Sequence, residues 1–302
     1  MGQTQAGFTF AELLVVMLLA GGIASVTLHL ATTLLSANQR HMRRDQVHTD
    51  LKRSLNYMTE DLQQAVYVYD GLCLGPGGGQ VAASGCPGLA NHLPSTLTPE
   101  RDRYPVLAFW RPTPLSATLM QRCRRGSLAA PECQSQQAYT LVVYVISTLD
   151  DSALWQGEAR LLRYKLSKFR QSGAPVPGYV NPRRQQFRTW PWYYSGSAAL
   201  ANQQTQRPSL QGSAPVPLVD FIDFSVGSPQ LAACPAGYRP TAAAAVLSQV
   251  DSVLGCVSEN QEVILTLRGH LPAAGRTGST ASALTLQTRV FPRPRLDYLP
   301  PD

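Results

Sequence analysis

The sequence predicts an α+β protein, in which one long N-terminal helix packs on a mostly antiparallel β-sheet head. Two observations carry this prediction. No proline interrupts residues 8–69, which begin with an apolar run and continue with an amphipathic pattern. Beyond them, six segments rich in β-branched and aromatic residues are separated by long stretches rich in proline, glycine and serine. A helix followed by strands, without regular alternation, is typical of the α+β class.

The first half of the helix has the composition of a membrane span. Between residues 8 and 37 the only ionisable side chains are Glu12 and His29. A helix of about 20 apolar residues crosses the hydrocarbon core of a bilayer. Residues 8–37 are therefore expected to lie in lipid or in the core of a filament.

The second half of the helix, residues 38–70, is amphipathic. Its apolar residues recur every three or four positions, which places them on one helix face and predicts packing under a head domain. The residues of this stripe are Val47, Leu51, Leu55, Met58, Leu62 and Ala65.

Residues 71–302 are expected to form a globular, β-rich head with long loops. The glycine-rich stretch 71–104 lacks a helical period and is expected to be a loop, and 242–255 is compatible with one short helix. The expected strands are 105–110, 138–147, 159–166, 218–226, 262–269 and 283–291.

The six cysteines fall into three sequence-neighbouring pairs. An even number in loop-rich chain suits disulfides formed in an oxidising compartment. The simplest pairing is Cys73–Cys86, Cys123–Cys133 and Cys234–Cys256, although six cysteines allow 15 connectivities. No CxxC motif and no histidine at zinc-finger spacing occurs, so no metal site is expected.

The positive charge is concentrated in the head. Residues 1–70 carry a net charge of −1, so the remaining residues carry +8, which favours acidic partners or surfaces. Two segments combine basic and aromatic side chains, which suit an acidic polysaccharide or, as a weaker alternative, DNA. A solvated strand face with packed aromatics explains the same pattern. The candidate contact residues are Arg163, Lys165, Lys168, Arg170, Arg183, Arg184, Arg188, Trp190 and Trp192.

The N-terminal run has three interpretations. A secretory signal peptide would begin with basic residues and end at a small-x-small cleavage site, whereas MGQTQAG has no lysine or arginine. An ordinary signal anchor would tolerate Glu12 only at a cost in free energy. The third interpretation follows from the stretch GFTFAELLVVMLLAGGIASV, which closely resembles the type IV pilin signature.

The resemblance to type IV pilins implies a processing site and an assembly contact. Residues 1–7 would be a leader, removed by a prepilin peptidase that cuts after Gly7 and methylates the new amine of Phe8. Glu12 would pair with the N-terminal amine of a neighbouring subunit in a filament. A buried acid requires a buried cation, and cleavage after Gly7 creates one. The resemblance also implies a pilin-like fold and a single-pass inner-membrane protein with its head in the periplasm.

Two narrower resemblances involve the head. The order of the strands LVDFIDFSV, EVILTLRG and TRVF is similar to that of minor pseudopilins of the J or PilW-like kind. Over residues 8–170, the stretches DLKRSLNYMTEDLQQAVYVYDG, RYPVLAFWRP and AYTLVVYVIS resemble the C member of the hormogonium polysaccharide secretion pseudopilins of cyanobacteria. This resemblance implies a minor subunit of a pilus-like machine for polysaccharide export and gliding. Its partners would be other pilin-like subunits, the prepilin peptidase, the inner-membrane assembly platform and membrane lipid.

The sequence displays no catalytic motif. Patterns of the GxSxG, HExxH, Walker and Rossmann types are absent, so neither an enzyme nor a cofactor is expected. Two alternatives stay open. One is a DNA-uptake or adhesive minor pilin that binds an acidic polymer through its basic aromatic residues. The other, of a different class, is a membrane-anchored periplasmic enzyme.

Overall fold

The computed structural model describes residues 10–76, 85–128, 131–149, 155, 157–170, 172–182, 186–193, 201–210, 214–224, 233–250, 252–270 and 283–292. The chain divides into two compact units, Met1–Val47 and His48–Asp302. In the first unit, the segment Phe10–Leu35 is exposed and is long and apolar enough to cross a membrane, by length and composition. Gly7 and Phe8 lie outside the described residues.

Helix α1 is a single helix, Phe10–Gln63, and is shorter at its C-terminal end than predicted. The predicted stripe is buried as expected from Leu51 through Leu55 and Met58 to Leu62. The prediction that the amphipathic helix reaches residue 70 is wrong. Beyond it the chain turns into strand β1, Tyr67–Val68, which pairs with Trp110 and Phe109. A run of valine and tyrosine favours strand over helix when a partner strand is available.

The other helices are short. Helix α2 begins after Asp70, whose side chain accepts a hydrogen bond from the Cys73 amide at 3.0 Å. Two 3₁₀ helices, Leu89–His92 and Pro99–Arg101, follow in the stretch that was expected to be a loop. The remaining α-helices are α2 Gly71–Leu74, α3 Ala117–Arg124, α4 Glu132–Ser135 and α5 Ala244–Leu247.

The head is built on antiparallel strands. After β1, the strands are β2 Arg103–Pro114, β3 Gln137–Ser147, β4 Ala159–Leu166, β5 Trp192–Tyr193, β6 Ala201–Asn202, β7 Val216–Ile222, β8 Tyr238–Pro240, β9 Val253–Ser258, β10 Val263–His270 and β11 Ala283–Val290. In the described residues, nine of the strands form a sheet with the order β1-β2-β3-β4-β7-β10-β9-β8, in which β11 also pairs with β10. Strands β5 and β6 form a separate antiparallel pair.

All six predicted strands are confirmed, β4 with its predicted bounds and the other five with shifted ends. Strand β7 stops at Ile222, because Phe221 adopts a positive φ of 61° that ends the alternation, and the last predicted positions, 225 and 226, lie outside the described residues. The helix predicted over 242–255 is wrong in its second half. Helix α5, Ala244–Leu247, ends early, and strand β9 begins at Val253 and pairs with β10.

The three disulfides are Cys73–Cys86, Cys123–Cys133 and Cys234–Cys256, which is the simplest pairing of the sequence. The first lies in a large core cluster beside buried aromatic residues. In that core Trp110 donates through Nε1 to the Tyr69 hydroxyl at 2.9 Å, and Tyr69 donates to the Phe187 carbonyl at 2.6 Å. The polar ends of these rings are therefore satisfied inside the core.

Candidate functional site

The candidate assembly segment lies at the start of the described helix. Glu12 falls in the first turn of α1 as described and is exposed, within the apolar segment Phe10–Leu35. The processing residues Gly7 and Phe8 precede the described part of the chain. The described structure therefore places one of the three candidate assembly and processing residues.

Arg163 does not belong to a polymer-binding surface. Its side chain is buried, and its Nε and Nη2 donate to the two carboxylate oxygens of Asp61 at 2.6 and 3.1 Å. Asp61 also accepts from Arg111 at 2.5 Å and from the Tyr144 hydroxyl at 2.7 Å. The carboxylate thus joins α1 to strands β2, β3 and β4. The prediction that Arg163 contacts a polymer is corrected to a structural role.

The charges in this cluster support one another. Burial alone lowers the pKa of Arg163, but the hydrogen bonds and charge of Asp61 outweigh it and raise that pKa. Burial, followed by the charge of Asp61, raises the pKa of Tyr144 far above its usual value. Arg163 is therefore a cation and Tyr144 a neutral donor across the physiological pH range.

Two further candidate residues do not lie on an open surface. Trp190 is fully buried and donates through Nε1 to the Val180 carbonyl at 2.8 Å. Lys168 forms an ion pair with the buried Glu132 at 2.6 Å, on a side chain that is 20% exposed. Trp190 is therefore a core residue, and the positive charge of Lys168 is balanced by the carboxylate of Glu132.

The remaining basic candidates are exposed but are held by different elements. Lys165 projects from β4, Arg170 follows the end of that strand, and Arg188 lies in the 3₁₀ helix Phe187–Thr189. Burial and the charges of Arg163 and Arg111 lower the pKa of Lys165. Arg183 and Arg184 lie outside the described residues.

Trp192 lines a polar groove that sequence reasoning did not find. The groove has a volume of about 520 Å³. A second cavity of about 540 Å³ shares the residues Asn91 and Arg207 with it and is more apolar, with Pro99 and Val246 in its wall. The first groove is lined by Asn91, His92, Trp192, Asn202, Gln204, Gln206 and Arg207.

His92 is the centre of the first groove. Trp192 donates from Nε1 to His92 Nε2 at 3.3 Å, since an indole nitrogen only donates. His92 Nε2 is therefore the acceptor, and Nδ1 carries the proton that is shared with Gln204 Oε1 at 3.0 Å. Burial lowers the pKa of His92 from 6.5, the Gln204 hydrogen bond opposes this, and the charge of Arg207 adds to it. The ring is therefore neutral at pH 7.

The sequence around His92 contains no motif that marks it as a site residue. The partner residues lie 100 and 112 positions further along the chain, so no local pattern links them. The stretch around Trp192, which is rich in tyrosine and tryptophan, predicted a binding segment. It did not predict the residues that complete the groove.

In the described part of the chain, one group has the spacing of a metal site. Ligand atoms of Asp70, Cys73 and Cys86 lie within 4.8 Å of one another. The two cysteines form a disulfide with each other, so they offer no thiolate to a metal ion. This group is therefore a structural bridge.

The comparisons with known proteins give no relative. No family model matches the chain, no curated protein matches it, and no solved structure matches it.

Proposed function

We propose that the protein is a minor pilin or pseudopilin, a structural subunit of a type IV pilus-like filament or secretion pseudopilus. The observation that carries the proposal is Glu12, one carboxylate inside an exposed apolar helix that follows the Gly7-Phe8 signature. The helix would hold the subunit in the inner membrane before assembly and pack in the filament core afterwards. The three disulfides suit a head exported to the periplasm.

The proposed cargo is polysaccharide, and the proposed process is export that supports gliding motility. Both rest on the resemblance over residues 8–170. The assembly role itself requires no catalytic residue, and the protein is proposed to act without a cofactor. Its partners would be pilin-like subunits, the prepilin peptidase, the inner-membrane platform and membrane lipid.

A second candidate function is a DNA-uptake or adhesive minor pilin. The exposed cations Lys165, Arg170 and Arg188, together with the charge of +8 beyond residue 70, favour an acidic polymer. A DNA contact of this kind would weaken steeply with added salt. The salt dependence of binding to single-stranded DNA tests this candidate.

The first test is the intact mass and N-terminal sequence of the chain from its native membrane. We expect a chain that begins at methylated Phe8 when the prepilin peptidase is active, and at Met1 when the peptidase gene is deleted. A chain that begins at Met1 in both strains, or is cut elsewhere, contradicts the proposal and indicates a plain membrane anchor.

The second test separates assembly from processing. We expect Glu12→Ala to be cleaved normally and to be missing from sheared filaments, since its carboxylate would no longer pair with the amine of a neighbour. The matched control is Asp45→Asn, an exposed acid further along the same helix, which should enter filaments as the native chain does. Normal incorporation of Glu12→Ala would refute the role given to Glu12.

A further inference from the structure

We propose that the groove between His92, Trp192 and Gln204 is an oligosaccharide-binding site, which continues through Asn91 and Arg207 into the adjoining cavity. The two cavities measure about 520 and 540 Å³, and pockets for small ligands measure about 300–1,000 Å³. Because they share two lining residues, they suit an elongated ligand with more than one ring. The site does not depend on the assembly function proposed above.

The chemistry of the lining suits a hydroxyl-rich ligand. A sugar ring has a face of C–H groups, which packs on an aromatic ring, and an edge of hydroxyls, which donate and accept hydrogen bonds. Trp192 supplies the aromatic surface. Asparagine and glutamine side chains carry both donors and an acceptor, so they can donate a hydrogen bond to a sugar hydroxyl or accept one from it. Gln204 donates both amide N–H groups within the protein, so this role falls to the other amide side chains of the lining, Asn91, Asn202 and Gln206.

The aromatic surface is held in place before a ligand arrives. Trp192 is fixed by its hydrogen bond to His92, and Gln204 fixes His92. The Gln204 amide nitrogen donates in turn to the carbonyls of His92 and Gly178 at 3.1 and 2.9 Å. Such preorganisation lowers the entropy cost of binding.

Gly178 allows the segment that forms one wall of the groove to pack closely on the chain. It adopts a positive φ of 80°, and a side chain at this position would overlap the backbone of residues 206–208. Only glycine allows this close approach without strain. The backbone of residues 206–208 therefore packs directly on Gly178, and this contact positions Gln206 and Arg207 in the wall of the groove.

The charge of the groove argues against a nucleic acid. Arg207 is the one lysine or arginine that lines either cavity in the described part of the chain, and Glu100 lines the second cavity. Binding of nucleic acid depends on several phosphate contacts from cations. A single arginine beside amides and an indole instead suits a neutral sugar or one with an occasional carboxylate, which arginine binds in bidentate fashion.

Calorimetric titration of the full chain tests the site. The protein is placed in phosphatidylcholine nanodiscs, because maltoside detergents would compete as sugars. The probes are cellohexaose, chitohexaose and hexamannuronate, each titrated into the millimolar range. We expect saturable binding of at least one probe, and Trp192→Ala should weaken it at least tenfold.

Matched variants locate the site. Tyr193→Ala removes the exposed neighbouring ring, which does not line the groove, and should change the affinity less than twofold. Arg207→Ala should weaken binding at least threefold, whereas Arg188→Ala should leave it unchanged. Trp192→Phe keeps an aromatic ring but loses the N–H that bonds His92, so it should weaken binding less than Trp192→Ala does, which separates loss of stacking from loss of folding.

Two outcomes would overturn the proposal. One is the absence of saturable binding with all three probes. The other is binding that survives Trp192→Ala but is lost in Arg188→Ala, which would move the contact to the exposed basic residues. Neither outcome affects the N-terminal cleavage experiment, so the assembly function is judged separately.

Discussion

Asp61 illustrates how one side chain attaches a helix to a sheet. It receives hydrogen bonds from Arg111, Tyr144 and Arg163, which lie on three adjacent strands. Arg163 also lies over the ring of Tyr57 on the same helix, with its guanidinium carbon 5.4 Å from the ring centroid. The cluster therefore sets both the position and the rotation of the second half of α1 on the sheet.

We expect Asp61→Asn to destabilise the head by about 3 kcal/mol, because it leaves the buried guanidinium of Arg163 without its counter-charge. The matched control is Asp50→Asn on the same helix. Asp50 pairs with Arg53 at 3.6 Å on side chains that are 42% and 78% exposed, so its loss should cost less than about 1 kcal/mol. Chemical unfolding of both variants, followed by near-UV circular dichroism, measures the difference. Equal costs would refute the structural role of Asp61.

His92 makes the stability of the groove dependent on pH. Its pKa in the folded chain is lowered from 6.5, so the unfolded chain takes up the proton first as the pH falls. The stabilisation is fully present above about pH 6.5 and is lost as the pH falls through the lower pKa of the folded state. Protonation would also place an N–H of His92 against the N–H of Trp192.

We therefore expect the melting temperature of the native chain to fall between about pH 7 and pH 5. His92→Gln should have a lower melting temperature at pH 7 and a weaker dependence on pH. His41→Gln, at an exposed position of α1, should keep the native pH dependence. An unchanged slope in His92→Gln would exclude His92 as the source.

At the residue scale the sequence predicted the neighbouring pairs better than the distant ones. The cysteine pairs are separated by 13, 10 and 22 residues, and the simplest pairing is the one found. Asp61 and Arg163 are 102 residues apart and have no local signature. A basic strand with alternating apolar residues has the same appearance whether its cations face solvent or a buried acid. For this reason Arg163 was predicted as a surface residue.

At the scale of elements, the predictions succeeded where the local pattern was strong. The stripe from Leu51 to Leu62 follows the helical period, and the central strands β2, β3 and β4 are runs of almost continuously buried residues rich in β-branched and aromatic side chains. Strand β9 was missed because the alanine-rich segment before it favours helix, and its six residues gain their stability from pairing with β10. The long-range pairing outweighs the local propensity.

The packing of α1 on β10 depends on a small residue in the strand. A methyl group at Gly269 would overlap the Leu51 side chain on the helix. We expect Gly269→Ala to destabilise the head by about 1–3 kcal/mol through overpacking. Leu51→Ala should cost about 2–5 kcal/mol alone, yet the double variant should cost less than the sum. Thermal unfolding of the four proteins measures this coupling, and strict additivity would show that the two residues do not compete for space.

At the scale of the whole molecule, each disulfide fastens a different part of the head. Cys73–Cys86 lies in a large core cluster that includes Trp110 and Trp190, while Cys123–Cys133 joins α3 to α4. Cys234–Cys256 belongs to a small separate cluster with Leu254 and Ile264. A small cluster buries little apolar surface, so it depends more on a covalent bond than the large cluster does.

We therefore expect the double variant Cys234→Ala/Cys256→Ala to lose about 3 kcal/mol of unfolding free energy, since the bond closes a loop of 22 residues. The control Cys123→Ala/Cys133→Ala opens a loop of 10 residues between surface helices and should cost less. Denaturant unfolding of the periplasmically produced chains measures both values.

Hydrogen exchange adds a second criterion. Protection should fall in β8 and β9 of the variant without Cys234 and Cys256, and should be retained in β3 and β4. Loss of protection throughout the sheet would show that the small cluster is part of one cooperative core, and the local role given to this disulfide would be wrong.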